Sequence, residues 1–181
     1  MRIALVLLLA VSLGAQTRQR KAHEHGSAKV NIAFESVKGM PKGVIEFEAP
    51  AESITGFEHE AKSAADKAKQ AAALTTLKTR FAEMVVFPAA SACKITNKSA
   101  KVEAEDHDHD KKSKAKQEQH SEVHAEFDVM CAKPLTGAVL TFGFEKVFPK
   151  IHDADVALIA GDQQLSVEVK TGKETLRIAA K

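Results

Sequence analysis

No signature of a familiar catalytic class occurs in these 181 residues. There is no G-x-S-x-G, no H-E-x-x-H, no phosphate-cradling P-loop and no glycine-rich dinucleotide turn. His23-Glu24-His25 is not the zincin pattern, whose histidines stand one helical turn apart, and a metallohydrolase with ligands scattered in sequence is the residual catalytic reading. An enzyme is therefore not expected. Charge of one sign is also missing: 26 Lys and Arg against 24 Asp and Glu leave a formal net charge of +2. Without a basic stripe to meet a phosphate backbone, nucleic acid is not an expected partner. Apolar runs of membrane length are absent too. The run Ile3 to Leu13, broken only by Ser12, is eleven residues, short of the roughly twenty that span a bilayer. Cysteine is scarce, with Cys93 and Cys131 far from the close C-x-x-C spacing of a thiolate metal pair.

What the chain has is enough apolar material for a core, 44% of residues, at a length that suits one ordinary domain. Met1-Arg2, the run Ile3 to Leu13 and then Gly14-Ala15 have the n-region, h-region and small-residue end of a secretory signal. The expected organisation is a signal peptide over residues 1–15, a polar lead over 16–22, and a single α+β domain over 23–181. No lipoprotein cysteine follows the run, and the mature chain is not expected to insert into a membrane. Export puts Cys93 and Cys131 in an oxidising compartment, where an even count predicts a disulfide. Its closed segment of about 38 residues gives roughly 4 kcal/mol in the chain-entropy model, as an upper figure.

Apolar periodicity predicts the elements. Ala28, Val30, Ile32 and Phe34 alternate with polar residues, as do Val44, Ile45 and Phe47 after the turn chemistry of Gly39 to Gly43, and the two runs predict a hairpin. Ile54 to His59 reads as an irregular connection. From Glu60 to Met84 the period changes: Ala61, Ala64, Ala65, Ala68, Leu74, Leu77, Phe81 and Met84 predict an amphipathic helix of about six turns, ended by Pro88. Its early turns offer only alanine, so the half from Leu74 onward is expected to bury more firmly. Residues 93–104 and 120–131 predict a second hairpin with the disulfide at its ends. Further strands are expected around 138–144, 155–159, 165–169 and 175–179. With seven or eight strands, one long helix and no alternating βαβ order, the class is α+β with a mostly antiparallel sheet.

The chemistry lies in the histidines. Four of eight fall between His107 and His124, and the stretch 103–120 predicts a flexible His/Asp-rich loop. Imidazole nitrogen interleaved with carboxylate oxygen is a donor set for a borderline divalent cation such as zinc. His107 and His109 stand in the alternation Asp106-His-Asp108-His-Asp110, which a merely solvated acidic loop does not explain. His120 and His124, four apart on a strand, share a face. His23 and His25 are at chelating spacing, and His59 lies between Glu58 and Glu60 at the helix start. His152 has no neighbouring histidine and reads as structural or solvated. The patch Lys111 to Lys116 balances the preceding carboxylates and keeps the loop near neutral.

Together, His23-Glu24-His25-Gly26, Gly56-Phe57-Glu58-His59 ahead of a long helix, Cys93, the His/Asp-rich insertion, His124 to Cys131 and Phe148-Pro149 resemble the periplasmic zinc-binding proteins of the ZrgA-like, zinc-regulated family. The resemblance covers nearly all of the mature chain. It implies a periplasmic protein of a Gram-negative bacterium that binds zinc through histidines and assists its import, beside an ABC-type uptake system whose zinc-binding protein is the implied partner. The implied ligands here are His23, His25, His59, His107, His109, His120 and His124. The insertion is short, with two histidines in its acidic half where relatives can be richer. Its loose ligands are expected to collect zinc for a firmer site drawn from His23, His25, His59 and His124. Ligating imidazoles must be neutral, so occupancy is expected to fall between about pH 6 and 5. A rival reading is an envelope protein-interaction module with incidental metal binding.

Overall fold

The computed structural model describes residues 25–104, 120–170 and 172–180. The expected signal peptide 1–15, the polar lead 16–22, His23, and His107 and His109 with the rest of 105–119 lie outside the described residues. Alternation writes the first two strands as expected: β1 (Ser27–Phe34) and β2 (Lys42–Pro50) pair antiparallel, Val30 opposite Phe47 and Ile32 opposite Ile45. β4 (Cys93–Ala104) and β5 (Ser121–Cys131) form the second hairpin, with Cys93 directly opposite Cys131 and bonded to it. Glu103 and Ala104, where the expected strand 93–104 and the expected loop 103–120 overlap, belong to β4, paired with Glu122 and Ser121. The weak alternation at Asn97-Lys98-Ser99 is a register shift between Asn97 and Ser99, one extra residue that resets which side chains face inward.

Two helices stand between these hairpins where one was expected. α1 (Ala51–Thr55) is a short helix closed by Gly56 in the left-handed conformation, in a stretch read from the sequence as irregular. α2 (Ala64–Met84) is the long one, and it starts four residues later than its composition predicts. The reason is a cap: Ser63 Oγ accepts from the Asp66 amide at 3.0 Å and donates to the Asp66 carboxylate at 2.6 Å, satisfying a donor that the first turn leaves orphaned. Its end is also set before Pro88. Val85 and Val86 leave the helix as β3 (Val85–Val86), a two-residue strand too short to show a period.

The larger sheet runs β4-β5-β2-β1-β7-β8 and the smaller β3-β6-β9, where β6 is Val139–Phe142, β7 Asp153–Ala160, β8 Gln163–Val169 and β9 Thr175–Arg177. Among the described residues nine strands stand where seven or eight were expected. Antiparallel pairing prevails, but β1 and β7 are parallel, Val30 opposite Val156. One face of the larger sheet holds the core. Ile32, Ile45, Phe47, Val123 and Phe127 are buried there, under Leu77, Phe81 and Met84, the buried residues of α2. Phe81 stacks on Phe127 at 3.8 Å and meets the edge of Phe47 at 5.8 Å; burying each such side chain contributes about 2 kcal/mol. The alanine-only turns of α2 remain largely exposed, as expected. Among the described residues no helix is long and apolar enough to cross a membrane.

Candidate metal centre

The fold draws together three segments that are remote in sequence: the turn before β1, the α1 region and the start of β5. At Gly26, φ is +81° and an added Cβ would fall 2.1 Å from the His152 ring, so glycine is required both by conformation and by space. The Gly26 amide donates to Ser53 Oγ of α1 at 3.2 Å, and its carbonyl accepts from the amides of His152 and Asp153. This turn fixes His25 beside α1. From the opposite side, Ser121 Oγ donates to the Glu58 carbonyl at 2.6 Å, tying the connection after α1 to the first residue of β5.

Glu58 occupies the middle. One carboxylate oxygen lies 2.8 Å from His120 Nδ1 and the other 3.2 Å from His25 Nδ1. Glu52 also faces His25 Nδ1, at 3.4 Å, and is bound by Lys150 on its other oxygen. The Lys150 hydrogen bond holds the Glu52 carboxyl below its ordinary value; burial pushes it up, and the charge of Lys150 and the His25 contact add to the lowering. His25 is 62% exposed and Glu58 only 21%, so the carboxylate sits beneath the rings that solvent reaches.

Two other histidines have carboxylate partners of their own. His59 stacks on Phe57 at 4.7 Å and places Nε2 3.5 Å from Asp66. The hydrogen bond from Ser63 is the main cause that lowers the Asp66 carboxyl, with burial opposing and His59 assisting. His124 stands on the outer face of β5, opposite Glu48 of β2 and Lys101 of β4. Its Nε2 is 3.4 Å from Glu122 and 3.8 Å from Glu103. For Glu48, burial is the largest single influence and pushes its carboxyl up, yet the Lys29 hydrogen bond and charge, with His124 and Glu122, bring it below the ordinary value. His120 and His124 therefore have separate carboxylate partners. His152 covers Gly26 with its ring, a packing role in keeping with its structural reading.

Among the described residues no group of three or more His, Cys, Asp or Glu converges closely enough to hold a metal ion as it stands. What they supply is one carboxylate bridging two histidines, and two further histidine–carboxylate sets. Glu52, Glu58 and Glu122 were missed as site residues by sequence reasoning. Glu58 carried a faint signal as a neighbour of His59; nothing local marks Glu52, whose partners come from the turn before β1 and from Lys150. A protein-family model described as ZrgA family zinc uptake protein matches residues 22–178. No curated protein matches the chain.

Proposed function

Because the chain belongs to the ZrgA family of zinc uptake proteins, we propose that it captures zinc through histidine side chains in the periplasm and passes the ion to an ABC-type import system. The observation that supports this reading is the Glu58 carboxylate set between His25 and His120, two solvent-reached imidazoles backed by one fixed anion. Neutral imidazole and carboxylate suit a borderline divalent ion. His25 and His120 form the firm part of the site in this reading. His23, two residues away, and His107 and His109 add exchangeable ligands, while His59 and His124 with their carboxylates form outlying weak sites. Zinc is cargo, so weak and multiple contacts favour hand-off, and the reading assigns no catalytic step. The Cys93–Cys131 disulfide fits an exported protein.

Zinc titration of the mature chain by chelator competition at neutral pH tests the reading. Binding tighter than about 10 micromolar is expected, a standard free energy beyond roughly −7 kcal/mol. His25→Ala with His120→Ala should abolish the tightest class, and removal of residues 106–118 should lower the number of ions bound while keeping that class. Binding no tighter than about 10 micromolar in the intact chain would end the proposal. The rival docking reading draws on Met130, Ile159 and Val44, large apolar side chains exposed at 55%, 51% and 36% on strands of the larger sheet. It expects the 106–118 deletion to leave metal content unchanged.

A further inference from the structure

We infer that Glu58 is a positioning residue that makes Nε2 the zinc-binding nitrogen of His120 and, together with Glu52, of His25, an inference that rests on the zinc-capture reading above. A carboxylate can only accept a hydrogen bond. Glu58 Oε2 lies 2.8 Å from His120 Nδ1, and Glu58 Oε1 lies 3.2 Å from His25 Nδ1, with Glu52 Oε2 facing the same nitrogen at 3.4 Å. Each Nδ1 therefore bears the hydrogen. In a neutral imidazole the lone pair then resides on Nε2, the nitrogen remote from the carboxylate, and the hydrogen bond at one nitrogen selects the metal-binding character of the other.

Glu58 is built for this part. Its backbone carbonyl is held by the Ser121 hydroxyl at 2.6 Å, next to His120 in the chain. Thr55 Oγ1, two residues before Phe57, lies 2.9 Å from the carbonyls of both Ala51 and Phe57, which share its one hydrogen, and accepts from the Phe57 amide at 3.3 Å, which rigidifies the connection leading into Glu58. On the other side the Gly26 amide is tied to Ser53. The carboxylate and both imidazoles are thus referred to one short stretch of backbone. Two rings from segments about 95 residues apart, His25 and His120, share Glu58 as a partner, with Glu52 as a second partner at His25.

The test uses the 15N-labelled mature chain with histidine ring nitrogens resolved by long-range proton–nitrogen correlation, before and after zinc chloride. In the intact protein both rings should carry hydrogen at Nδ1, and zinc should shift Nε2. Glu58→Gln keeps the size but offers Nδ1 a neutral amide. It should mix the two hydrogen placements at His120, while Glu52 still faces His25, and weaken zinc binding about 10- to 100-fold, with the backbone amide spectrum retained. Metal attachment through Nδ1, or a Glu58→Gln protein with unchanged ring signals and affinity, overturns the inference and leaves zinc capture intact. If zinc binds but shifts neither ring, this inference fails, whereas binding no tighter than about 10 micromolar ends the capture reading and this inference with it. The ring signals of the intact protein decide between these outcomes even if the variant does not fold.

Discussion

Lys150 reaches Glu52 from the turn that follows Phe148, and its hydrogen bond is the main reason the Glu52 carboxyl lies below its ordinary value of 4.5. The unfolded chain therefore takes up this proton at higher pH than the folded chain. The pair's contribution is present above about pH 4.5 and is lost as pH falls below it. Lys150→Met should lower the thermal midpoint at neutral pH and converge with the parent as the pH drops through the lowered titration of Glu52. Both side chains are part exposed, so the difference at neutral pH should stay below about 1 kcal/mol; a melting series across pH checks it. Histidines announced themselves in the sequence because their clustering with acids is uncommon by chance. Glu58 did not, since its partner His120 lies 62 residues away and only the fold sets them in contact.

Among elements, α2 separates what periodicity can show from what it cannot. Its buried side, Leu77, Phe81 and Met84, follows the three- and four-residue spacing and was legible. Its start was not legible from that spacing, because the Ala- and Lys-rich residues on both sides of Ser63 are equally compatible with helix. The signal that fixes it was present as Ser63-x-x-Asp66, a cap pattern. Ser63→Ala should cost about 1 kcal/mol, read as a lowered denaturant midpoint. His59 should respond as well: losing the Ser63 hydroxyl removes the main hydrogen bond on Asp66, the partner of His59. α1 and β3 escaped the reading because five and two residues are too few to establish a period. The parallel β1–β7 pair escaped because both strands read locally like any other, and nothing in either names its partner.

At the scale of the whole molecule, the disulfide and the candidate centre sit at opposite ends of β5. Cys131 closes the strand and Ser121 opens it, a span of about 33 Å at strand rise. Stability and zinc affinity should therefore separate. Cys93→Ser with Cys131→Ser should remove up to about 4 kcal/mol of stability, seen as a lower urea midpoint that no longer depends on reductant. The zinc affinity of the folded fraction should remain within about twofold, since additivity holds for remote sites. The hairpin and its bridge were both legible in the sequence, because strong alternation and an even cysteine count are local or compositional signals. The relation of the bridge to the centre was not, as it depends on Ser121 meeting Glu58.

The pairing of Ala104 with Ser121 bears on how many ions the chain would hold under the zinc-capture proposal. Because β4 and β5 stay in register up to those two residues, the points where residues 105–119 leave and return are neighbours in the sheet, whatever lies between them. Doubling the length of a chain segment between two fixed points costs only about 0.6 kcal/mol of closure entropy. The number of histidines inserted there is thus nearly uncoupled from the stability of the fold. Under the zinc-capture proposal, the number of ions bound is then expected to change with insertion and deletion there, while Glu58 and its two imidazoles stay where they are.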